Sequence, residues 1–350
     1  MRITFLAPTL KLTGGIIVAK KYADYLHDAG HVVTFVGIHK TKGFFEDAPY
    51  DVRNVSVSPA AFLHNLLFDL LLVRRICKTV PVSDVVIPIF SPLVVHAIAC
   101  KKMKKTSRVA HLYQDAKNIR YFGFYNRVIF RLPWVYNNID ITMPITNVLK
   151  KHYLAGKSRP TVLLPNAVEL DIFRPRDVKR HPKRVLFVGT KRKGLETYRK
   201  IAFQCLRHDD SIEFFTVTPD VVRKPIPSNM RIVDVGKDRG RLAELFSSAA
   251  LFISLSSIDS FGLTPLEAMA CGTPVLAERN TGIMDYCRDK ENCILIRTRE
   301  VSQVVTVVRK LLHDADLLNR LRISGLATAR EYVWERSFEL LSAVLVNLDA

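Results

Sequence analysis

The six cysteines of this 350-residue chain are scattered, with no paired spacing. That excludes a disulfide framework or a Cys-rich zinc site and points to reduced thiols, as in a cytoplasmic protein. Long apolar runs are also missing. The longest uncharged stretch, Val85 to Cys100, falls short of the 18 residues a membrane span needs and contains Pro88 and Pro92, so it fits a strand plus a short helix. Arg2, followed at once by a strand pattern, argues against a signal peptide. There is no zinc-finger spacing, RNP-like aromatic motif or compact helical reader, so specific nucleic-acid binding is not expected. Acids are scarce too: 33 Asp plus Glu face 52 Lys plus Arg, a net charge of +19.

The shortage is uneven. Residues 1–165 hold 9 acids against 23 cations, whereas the rest of the chain holds 24 against 29. An anionic ligand of the first half, or an anionic membrane carrying it, would account for the excess. Three segments fit a membrane interface: the leucine-rich Phe62 to Ile76, ending at Arg74-Arg75; the cluster Lys101 to Lys105; and Asn118 to Asn138. The last mixes Arg120, Arg127 and Arg131 with Tyr121, Phe122, Phe124, Tyr125, Phe130 and Trp134. Rings at headgroup depth beside cations meeting phosphates suit that setting, and a core helix and a sheet-packed segment are the alternatives. At 48% hydrophobic residues the chain is globular, and its length allows two domains with ample cores.

What is present is concentrated between Asp259 and Val275, in Asp-Ser-Phe-Gly-Leu-Thr-Pro-Leu-Glu-Ala-Met-Ala-Cys-Gly-Thr-Pro-Val. A strand-like run, Ala250 to Leu255, precedes it, and Gly272-Thr-Pro-Val-Leu reads as the next turn and strand. Strand, polar turn, helix, strand is one unit of a doubly wound sheet. The turn of such a unit lies where helix amides and the helix dipole attract anions. Backbone amides around Phe261, Gly262 and Leu263 are placed to meet a phosphate, and Gly262 has no Cβ to block its approach. Glu267, one turn into the helix, is placed to accept from hydroxyls such as a ribose diol, and Asp259 from hydroxyls at the far side. The same residues also fit a capping box, with Thr264 as cap, Pro265 first in the helix and Glu267 reaching back.

These residues resemble the retaining glycosyltransferases of family 4. That family carries two acids around a Phe-Gly turn, then Glu-Ala-Met-Ala-x-Gly-x-Pro-Val; here the first acid is Asp259 where Glu is usual. The resemblance extends over most of the chain. Gly14-Gly15 between two strand patterns is similar to the family's amino-terminal loop facing the donor diphosphate and the acceptor. Leu164 to Pro175 is similar to its crossing segment, with Pro175 and Pro182 bracketing a linker. Arg184 to Thr190 then reads as a strand and Lys191-Arg192-Lys193-Gly194 as a cationic turn before a helix from Leu195. Ser107 to Asp115 reads as a strand ending in a polar turn, with His111 in mid-strand and Gln114 and Asp115 at its end. Pro144-Ile-Thr-Asn147 and a closing helix after Arg330 to Glu335 complete the match.

The resemblance implies an α/β protein of GT-B architecture, with two Rossmann-like parallel-sheet domains facing a cleft and the last helix returning to the first. The domains are expected at 1–168 plus 334–350, on the acceptor side, and at 180–333, for the nucleotide sugar. It implies a retaining hexosyl transfer from a UDP- or GDP-sugar to a glycan or lipid-linked acceptor at a cytoplasmic membrane face. The nucleotide sugar is a substrate, and no cofactor is expected. Catalytic candidates are Asp115, Arg192, Lys193 and Asp259, with Lys191 as rival to Arg192. Donor-binding candidates are Gly14, Gly15, Phe261, Gly262, Leu263, Thr264 and Glu267. No Asp-x-Asp motif is read as a divalent-ion site, so metal independence is expected. A nucleotide-sugar epimerase and a noncatalytic partner subunit are the alternatives.

Overall fold

The computed structural model describes residues 1–11, 13–38, 44–55, 65–114, 132–154 and 160–349. The chain divides into two compact units, one of Met1–Pro165 with Ser337–Ala350 and one of Asn166–Arg336.

The first unit is built on six parallel strands, β1 (Arg2–Ala7), β2 (Val32–Gly37), β3 (Asp51–Asn54), β4 (Ser83–Pro88), β5 (Thr106–Tyr113) and β6 (Ile141–Pro144). They lie in the order β3-β2-β1-β4-β5-β6, so the order reverses between β1 and β4. Helices α1 (Gly14–Asp28), α2 (Asn65–Thr79), α3 (Val94–Lys102), α4 (Pro133–Tyr136) and α5 (Asn147–Leu154) connect them. β1 and β2 are buried along all but their first residue, because a parallel sheet covered on both faces needs apolar side chains on both. The closing helix α11 (Trp334–Asp349) belongs to this unit from Ser337 onward. Phe338 stacks on Tyr25 at 4.1 Å, and Ser337 Oγ donates to the Pro165 carbonyl at 2.7 Å.

The second unit repeats the plan with β7 (His181–Val188), β8 (Glu213–Val217), β9 (Met230–Ile232), β10 (Ala249–Ser254), β11 (Val275–Glu278) and β12 (Ile294–Ile296). Their order is β12-β11-β10-β7-β8-β9, all parallel, with the reversal between β7 and β10. Helices α6 (Leu195–Leu206), α7 (Arg239–Ser248), α8 (Leu263–Ala270), α9 (Val301–Leu312) and α10 (Ala315–Arg330) flank the sheet. Tyr198 of α6 is wholly buried among Val185, Phe187 and Phe214, and its hydroxyl is satisfied by the Val185 and Phe215 carbonyls at 2.8 and 2.9 Å.

Several expectations shift. β7 begins at His181, so Pro182 lies within a strand and the linker is shorter than its prolines suggested. Arg180 explains this: its guanidinium donates to the Ala249 and Gly272 carbonyls at 3.0 and 2.8 Å, tying the chain to the sheet before Pro182. The capping box does not form. Gly262 is the residue before α8, no side chain caps it, and Thr264 is already the second helical residue. Asp115, residues 56–64 and residues 118–131 lie outside the described residues, so Phe62 to Ile76 and Asn118 to Asn138 are seen only in part.

Candidate functional site

The reversal of strand order in the second unit leaves a gap at the carboxyl ends of β7 and β10, the place where doubly wound sheets take ligands. The turn after β7 and the turn after β10 meet there. Lys193, in the 3-10 turn Lys191–Lys193, lies with Nζ 3.2 Å from Asp259 Oδ1. Gly194 makes the approach possible, because a Cβ there would sit 2.5 Å from Leu255 Cβ and its φ is +99°. Arg192 is exposed on the same turn, and the Lys191 amide donates to Asp220 Oδ2 at 2.5 Å.

Gly262 has φ +81°, and a Cβ would fall 2.5 Å from Ile283 Cγ2 and 3.0 Å from the Tyr286 hydroxyl. Its carbonyl accepts from that hydroxyl. The turn is thus braced from behind, while the amides of Leu263 and Thr264 open the helix without a side-chain cap. The Phe261 ring faces inward, 5.6 Å from Tyr286 and 5.9 Å from Tyr332, so only its backbone remains available to a ligand. Asn280 holds the neighbouring turn: its Nδ2 donates to the Ser256 carbonyl at 2.8 Å and its Oδ1 accepts from Gly282 at 2.9 Å.

Glu267 does not reach back to the helix start. Arg239, first residue of α7, has Nη2 3.6 Å from Glu267 Oε1 and bonds Glu169 through Nη1. Burial pushes the Glu267 carboxyl up to about 7; Arg239 and Lys193 oppose the rise and Glu169 adds to it. Neither Arg239 nor Glu169 was a candidate. A signal was present: Lys237-Asp-Arg-Gly-Arg241 puts cations at a helix start, where the dipole disfavours them, which suggests another partner.

In the first unit, Gly14 and Gly15 open α1. Gln114, buried after β5, donates through Nε2 to the Gly15 and Ile89 carbonyls, each at 3.2 Å, so a Cβ at Gly15 would press on its amide. His111 is wholly buried within β5, and burial pushes its pKa down to about 3. Among the described residues no group of His, Cys, Asp and Glu is placed to hold a metal ion. The chain does contain one Asp-x-Asp, Asp314-Ala315-Asp316. It opens α10, where Asp314 Oδ1 caps the helix by accepting from the Leu317 amide at 2.9 Å.

Residues 229–326, spanning the Asp259 to Val275 segment and Arg239, match the family of glycosyl transferases group 1. The structure resembles HepE of Anabaena, solved in complex with UDP, with a TM-score of 0.81 at 14% identity over 99% of this chain and 100% of that one. The chain has the GT-B fold, and its residues 229–326 are similar to the glycosyl transferases group 1. Sucrose-phosphate synthase of Thermosynechococcus elongatus shares this fold, with a TM-score of 0.78 at 17% identity over 99% of each chain. By sequence, the D-inositol 3-phosphate glycosyltransferase of Acidothermus cellulolyticus is 30% identical over 205 residues, covering 51% of this chain and 46% of that protein. The chain spans about half or less of the length of the curated relatives it matches.

Proposed function

We propose that this GT-B protein is a retaining glycosyltransferase that moves a hexose from a UDP- or GDP-sugar to a hydroxyl of a glycan or lipid-linked acceptor. The observation that carries the reading is the Lys193 to Asp259 contact at the strand-order reversal, beside the uncapped start of α8. There the donor diphosphate meets the amides of Leu263 and Thr264, and Glu267 accepts from the ribose hydroxyls. Lys193 leaves Asp259 for the diphosphate, and Asp259 turns to the hydroxyls of the sugar. The complexes of HepE with UDP and with UDP-glucose favour a uridine nucleotide.

In the reaction the bond from the anomeric carbon to the diphosphate oxygen breaks, and a bond from that carbon to the acceptor oxygen forms on the same face. The acceptor proton passes to the departing phosphate oxygen. Lys193, Arg192 and the α8 amides stabilise the charge that grows there, as preorganised electrostatics, so transfer needs no divalent ion. By the family resemblance, Gly14 and Gly15 serve donor binding and Asp115 serves the chemistry. Exposed Lys102 and Lys104, with Lys105, hold the enzyme to an anionic membrane on its cytoplasmic face. Among the described residues no helix is long and apolar enough to cross a membrane.

The deciding experiment is thermal unfolding with UDP, GDP, ADP, CMP and their sugar conjugates, with and without chelator. A selective rise in Tm that survives chelator, followed by release of the nucleoside diphosphate only when acceptor is present, supports the transferase. Turnover of the sugar nucleotide alone would indicate an epimerase. No rise with any nucleotide would indicate a noncatalytic partner.

A further inference from the structure

Arg239 lies between two carboxylates. Asp238 caps α7 by accepting from the Arg241 amide, which fixes Arg239 as the first helical residue. From there its guanidinium bonds Glu169 through Nη1, lies 3.6 Å from Glu267 through Nη2, and covers the ring of Phe173 at 5.0 Å. Phe173 is itself wholly buried and edge-on to Phe246. Two acids and one ring therefore confine the guanidinium, and Glu169 competes with Glu267 for its charge.

We infer that Arg239 is a positioning residue: it holds Glu267 in its charged form, aimed at the nucleotide, and makes nucleotide affinity depend on pH near neutrality. The inference rests on the transferase reading, in which Glu267 accepts from ribose hydroxyls. The groups around Glu267 fix the sign. Arg239 of α7 and Lys193 of the turn after β7 favour its carboxylate, while burial and Glu169 of the crossing segment oppose it. Cys271, one turn further along α8, is pushed up to about 12 by burial and by Glu267 and stays neutral. A carboxylate accepts from both hydroxyls of a diol, whereas its acid form must use one oxygen to donate. Binding therefore favours the ionised form and releases a proton.

The test is calorimetric titration with UDP and with GDP across about pH 5.5 to about 8.5, on the wild type and on Arg239→Gln, Arg239→Lys and Glu169→Gln. Wild-type affinity should weaken as pH falls through neutrality. Arg239→Gln should move that midpoint upward by about one unit, a tenfold loss at a fixed pH below both midpoints, and Arg239→Lys should restore most of it. Glu169→Gln should move it downward, a change of opposite sign that general damage to the fold would not produce. Midpoints that coincide in wild type, Arg239→Gln and Glu169→Gln would overturn the inference while leaving the transferase reading intact. Absence of nucleotide binding at every pH in the wild type would overturn both.

Discussion

Lys193 Nζ and Asp259 Oδ1 lie 3.2 Å apart although they are 66 positions apart in sequence, because one lies in the turn after β7 and the other in the turn after β10. In the proposed reaction the pair holds the cation that the diphosphate draws away and the acid that the sugar hydroxyls meet. Lys193→Ala should lower kcat/KM for the sugar nucleotide by about a hundredfold or more, as removal of a charge-stabilising donor does elsewhere. Steady-state kinetics with the donor identified by thermal unfolding checks this.

Asp259→Asn should separate sugar from nucleotide. If the carboxylate serves the sugar hydroxyls, the variant should bind the sugar nucleotide several-fold more weakly and the bare nucleoside diphosphate about as well as wild type. Paired titrations with UDP and UDP-glucose read the difference directly. Equal losses for both ligands would place Asp259 against the diphosphate instead.

The buried Glu267 makes the ligand-free protein sensitive to alkali. Its carboxyl is raised from 4.5 to about 7, so the contribution of its acid form is fully present below 4.5 and is lost as pH rises through 7. Glu267→Gln should remove that dependence. The variant should be more stable than wild type at pH 8, by roughly 3 kcal/mol. Urea unfolding at a series of pH values checks this, and the same variant should bind nucleotide more weakly.

Gly262→Ala should cost about 1 to 3 kcal/mol, the usual penalty for a side chain in the left-handed region. The added methyl also meets Ile283 Cγ2 at 2.5 Å, so Ile283 and Tyr286 must move and α8 must shift. The urea midpoint should fall together with nucleotide affinity.

Membrane attachment is tested by Lys102, Lys104 and Lys105 changed together to Gln. Lys101 is left alone because its ammonium lies 2.7 Å from Asp140 Oδ2. Sedimentation with vesicles rich in phosphatidylglycerol should weaken by roughly fivefold for each cation lost. Unchanged partitioning would sink the role assigned to this cluster.

The sheet elements were legible because their signals are local. β5 and β10 are apolar runs closed by polar turns, and the observed strands fall within a residue or two of the expected ones. Gly262 was legible as a position that tolerates no Cβ, but what its missing Cβ makes room for in the structure is Ile283 and Tyr286 behind the turn. Arg239 was not legible. Its partners lie 70 and 28 residues away in sequence, and only the packing of α7 beside α8 and the crossing segment brings the three charges together. The capping pattern misled because Gly262, in the left-handed region, starts the helix one residue before Thr264, and Arg239 then takes the Glu267 carboxylate.

The return of α11 to the first unit sets an order of events during synthesis. Ser337 bonds the Pro165 carbonyl, and Phe338 and Ser342 reach Tyr25 of α1, so these contacts must wait until the whole of Asn166–Arg336 has left the ribosome. The second unit, continuous in sequence, can finish first, while Tyr22 and Tyr25 stay uncovered on a half-built partner. Premature termination just short of Ser337 would therefore yield a chain whose later half is sound and whose earlier half is the aggregating one.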